Sequence, residues 1–277
     1  MTTTLGNRHL GVTFPRVVRS EWIKFRTVRS PWWSVGIAVA FTIAFALVLA
    51  AGFTAEAAES AGGTELADDL GVTGGGIGMG AAFSTMGIQL SQIAIIALGV
   101  LTMTGEYSTG MIRSSLVAVP RRLPVLLGKA ISVGIVGLVA GATASFGAFF
   151  STMPILAGTV LQSSLNPEVI RMLAGGGLYL AGIGVLSLAL GAIIRSAAGA
   201  MGAAFGLLFL VPSLAMLLPG DLPQRLVPFF PAEAGQRLML EVSADAALGP
   251  WAGLAVLLTW ALGSLAIAAV LLHRKDA

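Results

Sequence analysis

The chain has 277 residues, of which 56% are hydrophobic and only 10% are charged. Because a soluble domain carries about 25% charged residues, this composition excludes an ordinary soluble protein and indicates a polytopic membrane protein. Cysteine is absent, which excludes disulfides, thiolate metal sites and cysteine nucleophiles. The basic pI, near 9.8, reflects where the bases lie along the chain and does not indicate nucleic-acid binding.

The first predicted element is an amphipathic helix over 14–29, with the sequence FPRVVRSEWIKFRTVR. At 100° per residue, one stripe of this helix is apolar and most of its bases lie outside the stripe. The pattern indicates a helix in the inner membrane interface, with its bases toward anionic headgroups. Glu21 interrupts the apolar stripe, and we expect it to pair with Lys24 or to reach toward the connection after the second span. A plain basic anchor is the alternative.

Six apolar runs follow, each with about 20 residues or more, which is enough to cross roughly 30 Å of hydrocarbon. They predict transmembrane helices at 32–53, 79–104, 130–152, 172–194, 197–218 and 250–272. Pro31 is expected to break the helix between the amphipathic segment and the first span. Continuous apolar runs favour helices over alternating barrel strands. The predicted fold is therefore an all-α membrane protein in which 1–277 form a single transmembrane domain.

Basic and acidic residues are concentrated in different connections between the apolar runs. With both termini inside, the inner segments 1–31, 105–129, 195–196 and 273–277 hold 13 bases and three acids, whereas the outer segments hold three bases and ten acids. Basic segments resist translocation across the membrane. The pattern therefore predicts a multi-pass protein of the cell membrane with cytoplasmic termini.

The second inner segment has the sequence TGEYSTGMIRSSLVAVPRR at 104–122. It predicts a short helix within 106–120, ended by Pro120, that presents an apolar face to the cytoplasm. That face consists of Met111, Ile112, Leu116 and Val119. The alternative is an interfacial hairpin in which Arg121 and Arg122 only determine the topology.

The two long outer loops differ in composition. Residues 54–78 are acidic and then glycine-rich, which predicts a flexible loop, and their glycines lack the spacing of a phosphate-binding motif. Residues 219–249 contain four prolines between apolar patches, which favours short helices that dip back toward the bilayer.

Several kinds of chemistry are missing from the sequence. Both histidines are terminal, so a Ser/His intramembrane protease and an HExxH metalloprotease are excluded in their usual form. No carboxylate lies near the middle of a span, where ion-coupled carriers generally place one. Gln89 and Gln92 share one face of the second span, which suits an interhelical hydrogen bond as well as a place along a pathway. Energy for transport, if it is used, must come from another subunit.

Four segments carry a family resemblance. They are SEWIKFRTVRSPWW at 20–33, TGEYSTGMIRSSLVAVPRR at 104–122, LGAIIRSAAGAM at 190–201 and PFFPAEAGQ at 228–236. Taken in order, with six spans and cytoplasmic termini, they resemble the membrane (permease) subunits of type-2 ABC exporters, especially those of the actinobacterial branch. The resemblance covers nearly the whole chain.

The resemblance implies an elbow helix at 14–29 and a coupling helix within 106–120 that docks on a separate cytoplasmic ATPase. It also implies re-entrant helices in 219–249. The implied elbow residues are Glu21, Trp22, Lys24, Phe25 and Arg26. The implied coupling residues are Glu106, Tyr107, Met111, Ile112, Arg113 and Leu116.

Permeases of this kind work in pairs, so one chain would be half of the membrane unit. The resemblance implies a pathway between the halves that is lined by the second and fifth spans, with Gln89, Gln92, Phe205 and Phe209 as candidate lining residues. It implies no catalytic residue, metal or cofactor in this chain, because ATP and Mg²⁺ would bind to the partner ATPase. The alternative is an ATPase-independent secondary carrier or a lipid-handling membrane protein, and an intramembrane enzyme is disfavoured.

Overall fold

The computed structural model describes residues 13–27, 29–59, 79–110, 122–157, 162–242 and 246–274, and these residues form helices and turns without a strand. The first helices are α1 (Phe14–Thr27), α2 (Arg29–Glu59), α3 (Met79–Ser108), α4 (Arg122–Leu156) and α5 (Pro167–Ile194). Helix α6 (Ala197–Phe205) continues through a π-helical turn (Gly206–Leu210) into α7 (Val211–Ala215). The chain then forms α8 (Leu222–Leu226), α9 (Pro231–Gln236) and α10 (Pro250–Arg274).

Six helical segments among the described residues are long and apolar enough to cross a membrane. They are Trp32–Ala55, Gly80–Ser108, Leu123–Leu156, Pro167–Ile194, Ala197–Ala215 and Pro250–Arg274. Lipid offers no hydrogen-bond partners to the backbone, so a continuous helix, which bonds its own amides and carbonyls, suits each of these apolar runs. The predicted all-α membrane fold is confirmed.

The helix ends differ from those predicted. Pro31 lies in the first turn of α2 and does not interrupt the helix. A proline is tolerated there because the N–H groups of a first turn have no acceptor within the helix. Helix α2 continues to Glu59, so the flexible acidic loop cannot begin at 54, and 60–78 lie outside the described residues. Helix α4 already begins at Arg122, and most of the residues between Arg122 and the predicted run at 130–152 are themselves apolar.

Helix α5 is the centre of the bundle. In its most apolar part 67% of the residues are buried, against 22% for the first, fifth and sixth spans. Helices α3, α4 and α10 pack around it. A Cβ at Gly137 of α4 would lie 2.7 Å from the carbonyl oxygen of Leu180, so α4 and α5 pack with their backbones in contact.

Two glycine pairs with GxxxG spacing, Gly137 with Gly141 and Gly202 with Gly206, have different environments. Gly137 and Gly141 both face α5, whereas Cβ atoms at Gly202 and Gly206 would meet no atom of the described chain within 4 Å. The first pair therefore serves packing within the chain, and the second lies on an open face of the bundle.

The two ends of the bundle carry different structures. Helix α1 packs against α4 at one end, called here the α1 end. Helix α9 packs against α5 and α10 at the other, the α9 end. There, Arg171 at the start of α5 donates to the carbonyl oxygens of Leu238 (2.7 Å) and Leu240 (2.8 Å). Trp260 Nε1 donates to the carbonyl oxygen of Phe229 at 3.0 Å, so α5 and α10 together hold the segment that contains α9.

Candidate functional site

At the α1 end, two acids and two lysines from three helices form one ion cluster, called here the charge cluster. It consists of Glu21, Lys24, Glu106 and Lys129. Helix α1 packs against α4 with Val17 and Phe25 buried, and Glu21 is buried in the same stripe. Glu21 therefore interrupts the apolar stripe of α1 because it pairs with Lys129 on α4.

Each lysine of the charge cluster contacts both acids. Lys129 Nζ lies 2.7 Å from Glu21 Oε2 and 2.6 Å from Glu106 Oε1. Lys24 Nζ lies 2.7 Å from Glu21 Oε1 and 3.2 Å from Glu106 Oε1. Two positive and two negative charges balance, so the network joins α1, α3 and α4 without excess charge.

Burial differs among the four side chains. Lys129, Glu21 and Glu106 are buried, whereas 39% of the Lys24 side chain is exposed. Burial alone lowers the pKa of Lys24, but the hydrogen bonds and negative charges of Glu21 and Glu106 outweigh it and raise that pKa above its ordinary value. The second oxygen of Glu106, Oε2, is buried and has no hydrogen-bond partner among the described residues.

The residue after Glu106 connects the charge cluster to the short turn between α5 and α6. Arg195 lies over the ring of Tyr107, with Cζ 5.3 Å from the ring centroid, which is a cation–π contact. Arg195 has a φ of 60° and forms with Ser196 the tight turn predicted at 195–196. The end of α3 is therefore attached to α1, to α4 and to this turn.

The sequence predicted part of this arrangement. The expected Glu21–Lys24 pair is present, and Lys24 also contacts Glu106. Trp22 packs partly buried against the core, and Arg26 is exposed. Lys129 was missed, although a single base next to the apolar run at 130–152 was the available signal. The remaining predicted coupling residues lie outside the described part of the chain: Met111, Ile112, Arg113 and Leu116.

Toward the α9 end, α3, the α6–α7 segment and α9 border a partly open cavity of about 180 Å³, called here the polar cavity. It is lined by Gln89, Gln92, Leu208, Phe209, Pro212, Ser213, Met216, Glu233 and Gln236. Sites for whole drug-sized compounds measure roughly 300–1,000 Å³. The polar cavity is smaller than these sites, so only part of a drug-sized compound would fit in it.

Hydrogen bonds between side chains form one wall of the polar cavity. Gln89 Nε2 donates to Gln236 Oε1 at 3.0 Å, and the fully buried Tyr179 hydroxyl of α5 donates to Gln92 Oε1. Gln89 is nevertheless exposed on the bundle surface, although it lies about 14 Å from the start of its span at Gly80. Both glutamines thus make interhelical hydrogen bonds and line a cavity, so the two alternatives that the sequence left open are compatible.

Glu233 is the carboxylate of the polar cavity. It is half-buried in α9 and makes no ion pair with another described residue. Burial raises the pKa of Glu233, and the charge of Arg237 one turn later opposes this shift without cancelling it. The cavity therefore presents one acid whose charge is only partly compensated.

The opposite wall of the polar cavity is formed by an irregular helix. In the π-helical turn, the Val211 N–H bonds to the Gly206 carbonyl, five residues back. Pro212 has no N–H, which disfavours a regular α-helical ladder at this point, and such π turns are frequent at functional sites. Phe205 and Phe209 stack with their ring centroids 5.6 Å apart.

Three of the four predicted lining residues reach the polar cavity: Gln89, Gln92 and Phe209. Phe205 was expected to line the pathway as well, but it is not among the cavity-lining residues and stacks on Phe209, one turn later. The contribution of α9 was missed, because no local pattern connects Gln236 with Gln89, which lies 147 residues earlier.

No model of a known protein family matches the chain, and no curated protein is detectably similar to it. In the part of the chain that the structure describes, no group of three His, Asp or Glu side chains could hold a metal ion. The charge cluster and the polar cavity carry the polar and charged groups on which a functional proposal can be based.

Proposed function

We propose that this chain is the permease subunit of an ATP-driven ABC exporter, in which it forms half of a dimeric translocation pathway and couples to a separate cytoplasmic ATPase. The observation that carries this proposal is the charge cluster. It joins α1 to the end of α3 and to α4, next to the connection that the resemblance assigns to ATPase docking.

The charge cluster suits the transmission of force from a partner subunit. Lys129 and the two acids are buried, and removing one member of a buried ion pair typically costs about 3–5 kcal/mol. Because pulling these helices apart would leave a buried charge without its partner, we expect α1, α3 and α4 to move together. A displacement of the connection after α3 would therefore be passed to α1 and α4 instead of being lost in local bending.

The distribution of ionisable residues favours an external energy source. In the six candidate spans, the Asp, Glu, Lys, Arg and His side chains lie near the ends: Glu106, Lys129, Glu168, Arg171, His273 and Arg274. Ion-coupled carriers generally place such groups near the middle of the membrane. This arrangement supports the ABC permease over the alternative, an ATPase-independent carrier or lipid-handling protein.

Two features of the bundle surface support pairing with a second permease chain. Gln89 exposes a carboxamide within its span, and a polar group is costly against lipid unless a partner covers it. Gly202 of α6 and Gly206 at the start of the π turn lie on an open face of the bundle, where small residues permit close approach of another helix. Helix α3 and the π turn that follows α6 also border the polar cavity, which we place along the pathway between the two chains.

In the proposed arrangement, the chain lies in the cell membrane with both termini in the cytoplasm. Helix α1 is the elbow helix at the inner interface, with exposed Arg26 near the lipid phosphates. Helices α8 and α9 are the re-entrant region between the fifth and sixth spans. The charge bias along the sequence and the buried apolar stripe of α1 support this orientation.

The proposal is tested by replacing two residues of the predicted coupling helix. The double variant Ile112→Asp/Leu116→Asp should insert and fold, yet lose co-purification with the ATPase encoded nearest to its gene and lose substrate-stimulated ATP hydrolysis. A matched control, Leu240→Asp/Val242→Asp, makes the same chemical change at exposed residues of the α9 end and should keep both. Wild-type co-purification of the first variant would contradict the coupling assignment. Transport by the chain alone in proteoliposomes without ATP would instead support the secondary carrier.

A further inference from the structure

We propose that the polar cavity binds the protonated amine of an amphipathic compound, with Glu233 as the anionic partner of that amine. This inference rests on the proposed export function, and it names the substrate class of the same pathway.

Beside the carboxamide N–H donors of Gln92 and Gln236, the cavity contains acceptor oxygens that receive no hydrogen bond from another described residue. The Gln89 amide nitrogen is engaged with Gln236, which leaves Gln89 Oε1 as an acceptor. The Ser213 hydroxyl donates its hydrogen to the Phe209 carbonyl oxygen at 2.7 Å, which leaves its lone pairs. Together with the Glu233 carboxylate, these oxygens match an ammonium group, which has three N–H donors and no acceptor. A bond to the carboxylate would be charge-assisted and correspondingly strong.

The charge of the cavity selects a cation over an anion. Glu233 has no ion-pair partner among the described residues, and Arg237, which influences it electrostatically, is not part of the cavity lining. An anionic group would lie against this carboxylate, and a neutral group would leave it half-buried without a counter-charge. A cation relieves that cost.

The apolar wall explains why the ligand is amphipathic. Leu208, Phe209, Pro212 and Met216 face the acceptors, and the ring of Phe209 can also receive a cation on its face. A volume of about 180 Å³ holds the amine and the first part of its chain. Met216 is 63% exposed and Leu217 80% exposed, so the apolar remainder of the ligand leaves the cavity along an apolar surface.

The test uses monodansylcadaverine, a primary amine with an apolar fluorescent group, and its neutral N-acetyl derivative. Fluorescence polarisation is titrated with the purified chain in nanodiscs, and empty nanodiscs correct for partitioning into lipid. Glu233→Gln should weaken binding of the amine roughly ten- to a hundredfold, the range for a lost hydrogen bond to a charged group. Glu241→Gln removes an exposed acid from the same end of the bundle and should bind like the wild type. Equal binding of both probes to the wild type, or unchanged amine affinity in Glu233→Gln, would overturn the proposal.

A second variant covers the case in which Glu233→Gln is unstable. Met216→Trp narrows the cavity from its exposed side without changing any charge, and it should weaken amine binding severalfold, whereas unchanged affinity would overturn the proposal. Because these titrations use the chain without an ATPase, their outcome is independent of the co-purification experiment. Glu233-dependent amine binding with no ATPase association supports the site and contradicts the export function. ATPase association without amine binding supports the export function and contradicts the amine site.

Discussion

The substitution Lys129→Met isolates the energetic role of the charge cluster. The Lys129 side chain is only 3% exposed, and its Nζ contacts Glu21 at 2.7 Å and Glu106 at 2.6 Å. Methionine keeps an unbranched side chain but removes the charge. Two buried carboxylates would then face one lysine, Lys24, whose side chain is 39% exposed. Breaking a buried ion pair in this way costs about 3–5 kcal/mol, so we expect that loss in the free energy of unfolding. The thermal midpoint should fall by on the order of 10 °C.

The measurement is thermal unfolding of the chain in nanodiscs, followed by tryptophan fluorescence. Arg26→Met removes one positive charge from the exposed face of α1 and should change stability by no more than about 0.5 kcal/mol. Adding Glu21→Gln to Lys129→Met leaves Lys24 and Glu106 as a neutral pair and should recover part of the loss. Equal losses for Lys129→Met and Arg26→Met, or a double variant as unstable as the sum of its single variants, would refute the cluster as a coupled unit.

Four further predictions concern topology, helix packing, dimerisation and pH. The variant Glu65→Cys, in this otherwise cysteine-free chain, should react with an impermeant maleimide from outside only, and labelling only from inside would contradict the orientation. Gly137→Val should destabilise the chain by roughly 1–3 kcal/mol, because its Cβ would lie 2.7 Å from a carbonyl oxygen of α5. Gly202→Val should leave unfolding unchanged but weaken the dimer in native mass spectrometry. Because burial raises the pKa of Glu233 against the opposing charge of Arg237, amine affinity should fall as the pH drops through that raised pKa. Glu233→Gln should abolish this dependence.

The course of the helices was predictable because the length of an apolar run is a direct physical requirement for crossing a bilayer. The helix ends were not, since residues outside the predicted runs also favour helix, among them leucine in 122–129 and alanine in 54–59. Arg122 to Lys129 extend α4 before its apolar run, and Thr54 to Glu59 extend α2 after its own. Pro31 was misjudged because proline breaks a helix interior but is tolerated in a first turn.

The candidate sites were predictable only where their members are close in sequence or interrupt a pattern. Glu21 stood out as an acid in an apolar stripe, and its pairing with Lys24 follows from their spacing on one helix. The polar cavity instead depends on how α3 and α9 pack together, and Gln236 and Glu233 carry no periodic signal. Tertiary packing of distant elements leaves no trace in the spacing of residues along the chain.

Helix α3 extends without interruption from Met79 to Ser108, so Gln89 and Glu106 belong to one stiff rod and lie roughly 25 Å apart along it. A tilt of α3 about the charge cluster would therefore move the opposite end of the helix. A tilt of about 5° there displaces Gln89 by roughly 2 Å, given the rise of an α-helix. Such a displacement is enough to break the 3.0 Å hydrogen bond to Gln236 on α9. The facing α6–α7 segment is irregular at its π turn and at Pro212, where helices bend. It would therefore not move with α3 as a rigid body. A small angular change at one end of the bundle would thus change the width of the cavity at the other.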